Sequence, residues 1–155
     1  MVIQRWQSLL LLMAVVLMGV FSFVSLGQIQ TAEYTFNFTA LGISPEGQPT
    51  GGELPATVST WYLFALSVAS AALSLIAIFS FRNLQLQKRL CLLSVVMLIG
   101  VIVVSAVIGY RSFDGGTVSW SSIICAPFLS LIADIMAYQR ISADQRTIRE
   151  SERLR

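Results

Sequence analysis

One acidic side chain sits inside a stretch that is otherwise apolar. Asp134 lies within 119–137, where its neighbours are Leu, Ile, Ala, Met and Ser. A carboxyl group in such a setting can carry a proton, pair with a cation or hydrogen-bond a neighbouring helix, and each use needs the group to face protein or water rather than hydrocarbon. An Asp at the centre of a bilayer costs about 2.5–3.5 kcal/mol on insertion scales, and less toward an interface. Arg82, Lys88 and Arg89 are long enough to reach it from the connection between the second and third apolar stretches. The reading that asks least is an interfacial ion pair or a helix–helix hydrogen bond. A proton or ion relay is the sharper one, and contact with a transported substrate the narrowest. Transporters gather several polar groups near the midplane, whereas the other apolar stretches here offer little beyond serine.

Other chemistries lack their residues. The chain has no histidine, which removes the commonest general base and metal ligand. Its two cysteines, Cys91 and Cys125, fall on neighbouring antiparallel segments at different depths, about 20 Å apart at 1.5 Å per residue. A disulfide needs Cα atoms closer than about 7 Å, so both read as free, buried and structural. No Cys-x-x-Cys pair, glycine-rich phosphate loop, metal-ligand spacing or serine beside a base is present, and Lys88 is the sole lysine. No catalytic, cofactor-binding or metal-binding residue is therefore assigned, and the protein reads as non-enzymatic. The basic C-terminal segment is too short and too mixed in sign for nucleic acid.

What positions Asp134 is a set of four apolar stretches at about 8–26, 58–81, 90–110 and 119–137, each near the 20 residues that span about 30 Å of hydrocarbon. Of the 155 residues 55% are hydrophobic and 12% charged, with mean hydropathy +0.76. Soluble domains carry about 25% charged residues. The expected fold is an all-α membrane domain over 1–155: an antiparallel bundle of four transmembrane helices, with a short extracytoplasmic β-ribbon in the loop 27–57 and a cytoplasmic C-terminal helix at 138–155. Nine of the ten basic residues fall at the two ends and in the second connection, leaving Arg111 alone on the other side. The positive-inside rule then puts both termini in the cytoplasm. The first stretch, with one arginine before about 19 apolar residues, exceeds the 7–15 of a signal peptide and reads as a retained span.

Within the loop, Glu33–Thr39 alternates aromatic and polar residues at strand period, with Tyr34, Phe36 and Phe38 on one face. Ser44–Gly52 and Arg111–Thr117 are turn chemistry. Ala65, Ser67, Ala69, Ser70, Ala71 and Ser74 form small-xxx-small pairs in the second span, and Ser105 and Gly109 continue the theme in the third. Such spacing lets helices approach closely, within the bundle or in a homo-oligomer. Pro127, taken as helix-interior, predicts a kink that frees the Ile123 carbonyl. The tail continues the last helix in phase, with Arg140/Asp144 and Arg146/Glu150 as i,i+4 pairs. Arg140, Arg146, Arg149, Arg153 and Arg155 are candidate contacts for a protein partner or for anionic headgroups.

Two terminal segments carry a resemblance. Ile3-Gln4-Arg5-Trp6-Gln7-Ser8 runs straight into the first helix, and the chain closes on Ile148-Arg149 and Arg153-Leu154-Arg155 after Ala137, Arg140, Ile141 and Asp144. The chain thereby resembles an uncharacterised bacterial family of four-span membrane proteins known as a domain of unknown function. Members commonly close on Ala-Asn-Arg-x-Ile-x-x-Asp-Glu and Asp-Arg-Leu-Arg. Here Tyr138 stands for the Asn, the Arg is shifted by one, Gln145 replaces the Glu and Glu152 the final Asp. The resemblance implies the four-span architecture with both ends inside, and no activity or cofactor. The expected role is a scaffold or assembly partner in the lipid bilayer, acting through the tail or the small-residue faces. The alternative is a small transporter or ion-coupled protein using Asp134.

Overall fold

The computed structural model describes residues 2–30, 35–46, 58–80, 83–111 and 117–153. Four helices, α1 (Val2–Phe23), α2 (Trp61–Phe79), α3 (Leu84–Arg111) and α4 (Ala126–Arg153), are long and apolar enough to cross a membrane. Each packs on its neighbours in the chain, and α1 closes the ring against α4. The short connection from Phe79 to Leu84 forces α2 and α3 to run antiparallel.

The inward positions recur at alternating steps of three and four. They are Gln7, Leu11, Ala14, Met18 and Phe21 on α1, and Leu63, Ser67, Ser70, Ser74 and Ala77 on α2. On α3 they are Gln87, Cys91, Ser94, Leu98, Val101, Ser105 and Ile108, and on α4 Ser130, Asp134, Ala137 and Ile141, with buried Ala133 beside Asp134. That 3.5-residue repeat keeps one seam of each helix facing the partners. The seams are rich in small and polar residues, while Leu, Val, Ile and Phe point outward from all four helices, as at Leu9, Val16, Leu75, Val96, Val103 and Ile132. In water so broad an exposed apolar surface marks an interaction face; a lipid bilayer would solvate it directly. Trp61, Tyr62, Tyr110 and Trp120 project at one end and Trp6 at the other, the placing of interfacial anchors.

A five-stranded antiparallel sheet covers one end in the order β4-β3-β2-β1-β5, with β1 Gly27–Gln30, β2 Thr35–Phe38, β3 Gly42–Glu46, β4 Val58–Ser59 and β5 Thr117–Trp120. The expected ribbon in the first loop is present, and it is wider than two strands: β1–β4 all lie between α1 and α2, and β5 from the loop before α4 adds a fifth. Gly27 pairs opposite Trp120, and a Cβ there would stand 2.8 Å from the Ser119 carbonyl. Phe38 is buried and meets the Trp120 ring edge-on, with centroids 6.4 Å apart.

Several helix ends differ from the sequence reading. The fourth helix begins at Ala126, not Ser119: residues 117–120 are paired in the sheet, and Ser122–Cys125 form a single 3-10 turn. Pro127 is consequently the second residue of α4, where its missing N–H has no helical partner to lose, and no kink arises from it. Cys125, expected to be buried, is exposed in the 3-10 turn, while Cys91 is buried; both are free thiols. The second connection is shorter than the eight residues expected, because α3 already begins at Leu84. Asn83 starts it, its Oδ1 accepting the Leu86 N–H at 3.3 Å and its carbonyl the Gln87 N–H at 2.9 Å. At the N-terminus α1 begins at Val2 rather than near Ser8. Of the turns expected at Ser44–Gly52 and Arg111–Thr117, Ser44–Glu46 pair in β3, Arg111 ends α3 and Thr117 opens β5; the remainder of both, with Tyr34, Arg82 and Arg155, lies outside the described residues.

Candidate functional site

The bundle interior at its most polar point is built around Asp134, whose side chain is fully enclosed. Its direction is set by its helix: Ala133, Ala137 and Ile141 share the inward seam of α4, and Asp134 lies beside Ala133 on it. Small neighbours leave room for the carboxyl to cross the bundle axis. Ser94 of α3 donates to Oδ2 at 2.5 Å, and Ser74 of α2 approaches Oδ2 at 3.2 Å and Oδ1 at 3.5 Å. The two hydroxyls are 2.9 Å apart, and both also lie near the Ser70 carbonyl, Ser74 at 3.1 Å and Ser94 at 3.4 Å. One carboxyl thus ties α4 to α3 and, diagonally, to α2.

Donors are fewer than acceptors at this point. Two hydroxyl protons face a carboxyl group that, ionised, offers about four lone-pair positions, with the Ser70 carbonyl competing for the same protons. The described residues put no cation on Asp134; their one ion pair is Arg146–Glu150. The remaining demand can be met by a proton on the carboxyl itself or by a small cation. The same hydroxyls would serve either. Among the described residues no group of three or more His, Cys, Asp or Glu side chains gathers to hold a metal ion.

Two smaller polar contacts accompany this centre. Toward the sheet, Ser22 of α1 and Ser67 of α2 are 2.8 Å apart, and each donates or can donate to a carbonyl of its own helix, Met18 and Phe64, also at 2.8 Å. Ser130 reaches the Ala14 carbonyl at 3.4 Å, joining α4 to α1. At the opposite end, buried Gln7 donates to the Asp144 carboxylate. Gln87 Oε1 and Ser142 Oγ are buried there without hydrogen-bond partners.

Asp134 lies eight residues into α4. Its level is that of Ser74, thirteen residues past Trp61 and five short of the last residue of α2. It is therefore nearer the end away from the sheet. Lys88, one of the three cations able to reach toward it, instead places its ammonium 5.2 Å from the centre of the Tyr138 ring. Arg140 lines an apolar groove of about 330 Å³ with Trp6, Leu10 and Met136, and Arg146 bonds Glu150 at 3.2 Å on the exposed side of α4. Arg149 and Arg153 belong to the last turns of α4, and their side chains lie outside the described residues, as does Arg155. Among the described residues no arginine is brought to Asp134. Ser94, Gln87 and Gln7 were not singled out by the sequence reading. Their signal was available: polar residues recurring at steps of three and four inside apolar helices mark an inward seam.

No curated protein matches the chain. The model of one family, the domain of unknown function DUF4293, matches residues 3–154. The chain belongs to that family.

Proposed function

From membership of that family and a bundle of four membrane-length helices, we propose that the protein is a non-enzymatic scaffold or assembly partner in the bacterial inner membrane, with both termini cytoplasmic. One observation carries the reading. Helix α4 does not stop where the bundle does: beyond Asp144, bonded by Gln7, it runs nine further residues to Arg153. Arg146 and Glu150 stand out from it with side chains 83% and 65% exposed. An ordered, charged helix leaving the apolar bundle offers a docking rod for a partner at the membrane surface. The strong bias of basic residues to the ends away from the sheet supports the orientation. Ala65 and Val68, exposed on α2, offer a second face for a membrane partner or another copy.

The test is co-purification in mild detergent from the native membrane, comparing the full chain with one lacking 146–155. That cut spares Ile141 and Asp144, which belong to the fold. A stoichiometric partner lost with the tail is expected; the same partner retained by the truncated chain would remove the docking role. A second reading rests on the Asp134 centre, where a carboxyl and two hydroxyls meet on the bundle axis in the manner of an ion or proton site. If the protein couples transport to that group, Asp134→Asn abolishes uptake in reconstituted vesicles while the protein still inserts. Unaltered uptake would sink that reading.

A further inference from the structure

At the end of the bundle away from the sheet, α3 and α4 leave a cavity of about 360 Å³ lined by Gln85, Lys88, Arg89, Leu92, Tyr138 and Gln145. We propose that this cavity binds the phosphate headgroup of an anionic phospholipid. The proposal rests on the membrane reading above and names a ligand for one site in it.

Four observations converge. Lys88 and Arg89 are adjacent cations, and the described residues give neither a carboxylate partner. Lys88 is not waving in solvent: its ammonium lies 5.2 Å from the Tyr138 ring centre, inside the roughly 6 Å range of a cation–π contact, so α4 holds it over the cavity. Gln85 and Gln145 add amide donors from the two walls, and together with Tyr138 they suit phosphate oxygens and glycerol hydroxyls. Among the described residues no acidic side chain lines the cavity.

The source of the phosphate is set by what lies beneath. Leu92 closes the cavity one turn along α3, and Val96, Ile99 and Val103 continue the same outward face toward the sheet, all about half exposed. A cation pair at the rim with an apolar track below it matches a lipid, headgroup above and acyl chain along the helix. A soluble phosphate would use only the rim. Basic pockets between membrane helices on the cytoplasmic side recognise anionic lipid heads in this way. The volume falls within the about 300–1,000 Å³ of small-molecule sites.

The test uses the full-length chain. Alkaline carbonate washing of membranes first asks whether it is integral; release into the wash would overturn the membrane reading and this proposal together. The detergent-purified protein is then incubated with phosphatidylglycerol or phosphatidylcholine, and bound lipid is counted by native mass spectrometry. Wild type should retain phosphatidylglycerol preferentially. Lys88→Gln with Arg89→Gln should lower retention by about thirtyfold while staying in the washed membrane, as expected for two surface charges. Lys88→Arg should keep most of it, and Arg111→Gln, which removes one charge at the sheet end of α3, should change nothing. Equal retention of both lipids, or an Arg111→Gln loss as large as that of the double variant, would overturn the proposal. Competition by glycerol phosphate at the concentration of the lipid would assign the site to a soluble phosphate and overturn the lipid assignment.

Discussion

The two ends of the bundle are held by different forces. At the sheet end the backbone does the holding. Five strands pair across both loops, Ser121 N–H bonds the Leu26 carbonyl at 3.0 Å, and Leu26 N–H bonds the Phe38 carbonyl at 2.8 Å. Trp120 packs onto α3 where Gly109 leaves no side chain. At the other end side chains do the holding: Leu11, Ala77, Cys91, Ala137 and Ile141 form a small apolar cluster, with the Gln7–Asp144 bond beside it. That end also keeps Gln87 Oε1 and Ser142 Oγ unpaired and carries Lys88, Arg89 and Arg140 on its grooves. Main-chain pairing satisfies nearly all its own donors and acceptors and leaves little for a ligand. Side-chain packing leaves polar groups over. The difference supports the proposed binding site at the end away from the sheet.

Thiol chemistry separates the two ends by the widest margin. Cys125 is exposed in the 3-10 turn under the sheet, and Cys91 is buried at the opposite end, its thiol enclosed beside Leu11 and Ile141. A membrane-impermeant maleimide added to intact cells should label Cys125 alone, and in the folded, detergent-solubilised protein Cys91 should react on the order of a hundredfold more slowly than Cys125 until the protein is denatured. Labelling of Cys125 only after the inner face is opened would reverse the proposed orientation. Equal rates in the folded protein would break the comparison itself.

Packing changes should come next in size. At Gly109 a Cβ would approach the Trp120 ring to 2.7 Å, so Gly109→Val must push the indole off the helix. Overpacking of this kind costs about 1–3 kcal/mol, and the loss should appear as a lower melting temperature of helical circular dichroism in detergent. Asp134→Ala removes the acceptor that α2 and α3 share. Interhelical hydrogen bonds in membranes average about 0.6 kcal/mol, so a loss of about 1–2 kcal/mol is expected for the pair. Asp134→Asn keeps an acceptor and a donor and should cost less than half of that. If Asn and Ala are equally damaging, the carboxyl holds more than hydrogen bonds, and a bound cation becomes the leading explanation.

The helices were legible because apolar length is a one-dimensional signal, and twenty residues without charge leave few alternatives. Their ends were not. Thr117–Trp120 and the 3-10 turn look like the start of a helix because Val118, Trp120, Ile123 and Ile124 are as apolar as α4 itself. Only pairing with Gly27–Gln30, some ninety residues away, makes 117–120 a strand, and no local pattern encodes a partner at that distance. The same non-local fact makes Pro127 a helix start rather than a kink. Asp134 was legible as an anomaly, but its partners were not. In the sequence Ser74 shows only its small size and Ser94 nothing that sets it apart, since a serine in an apolar run reveals its role only when the neighbouring helix is placed against it.

The smallest effect is expected on the exposed side of α4. Arg146 Nε bonds Glu150 at 3.2 Å, with both side chains mostly in solvent. An exposed i,i+4 pair on a helix contributes about 0.3–0.5 kcal/mol and is screened by salt. Arg146→Ala should therefore leave the melting temperature within about 2 °C of wild type, a shift smaller than that from Asp134→Ala. A larger drop would mean that the tail is part of the fold, as Gln7 makes Asp144 part of it. A near-zero drop with loss of the co-purifying partner would assign the arginine to docking. The contrast between the ends would then extend along α4 itself, with residues up to Asp144 kept for the bundle and those beyond it for a partner.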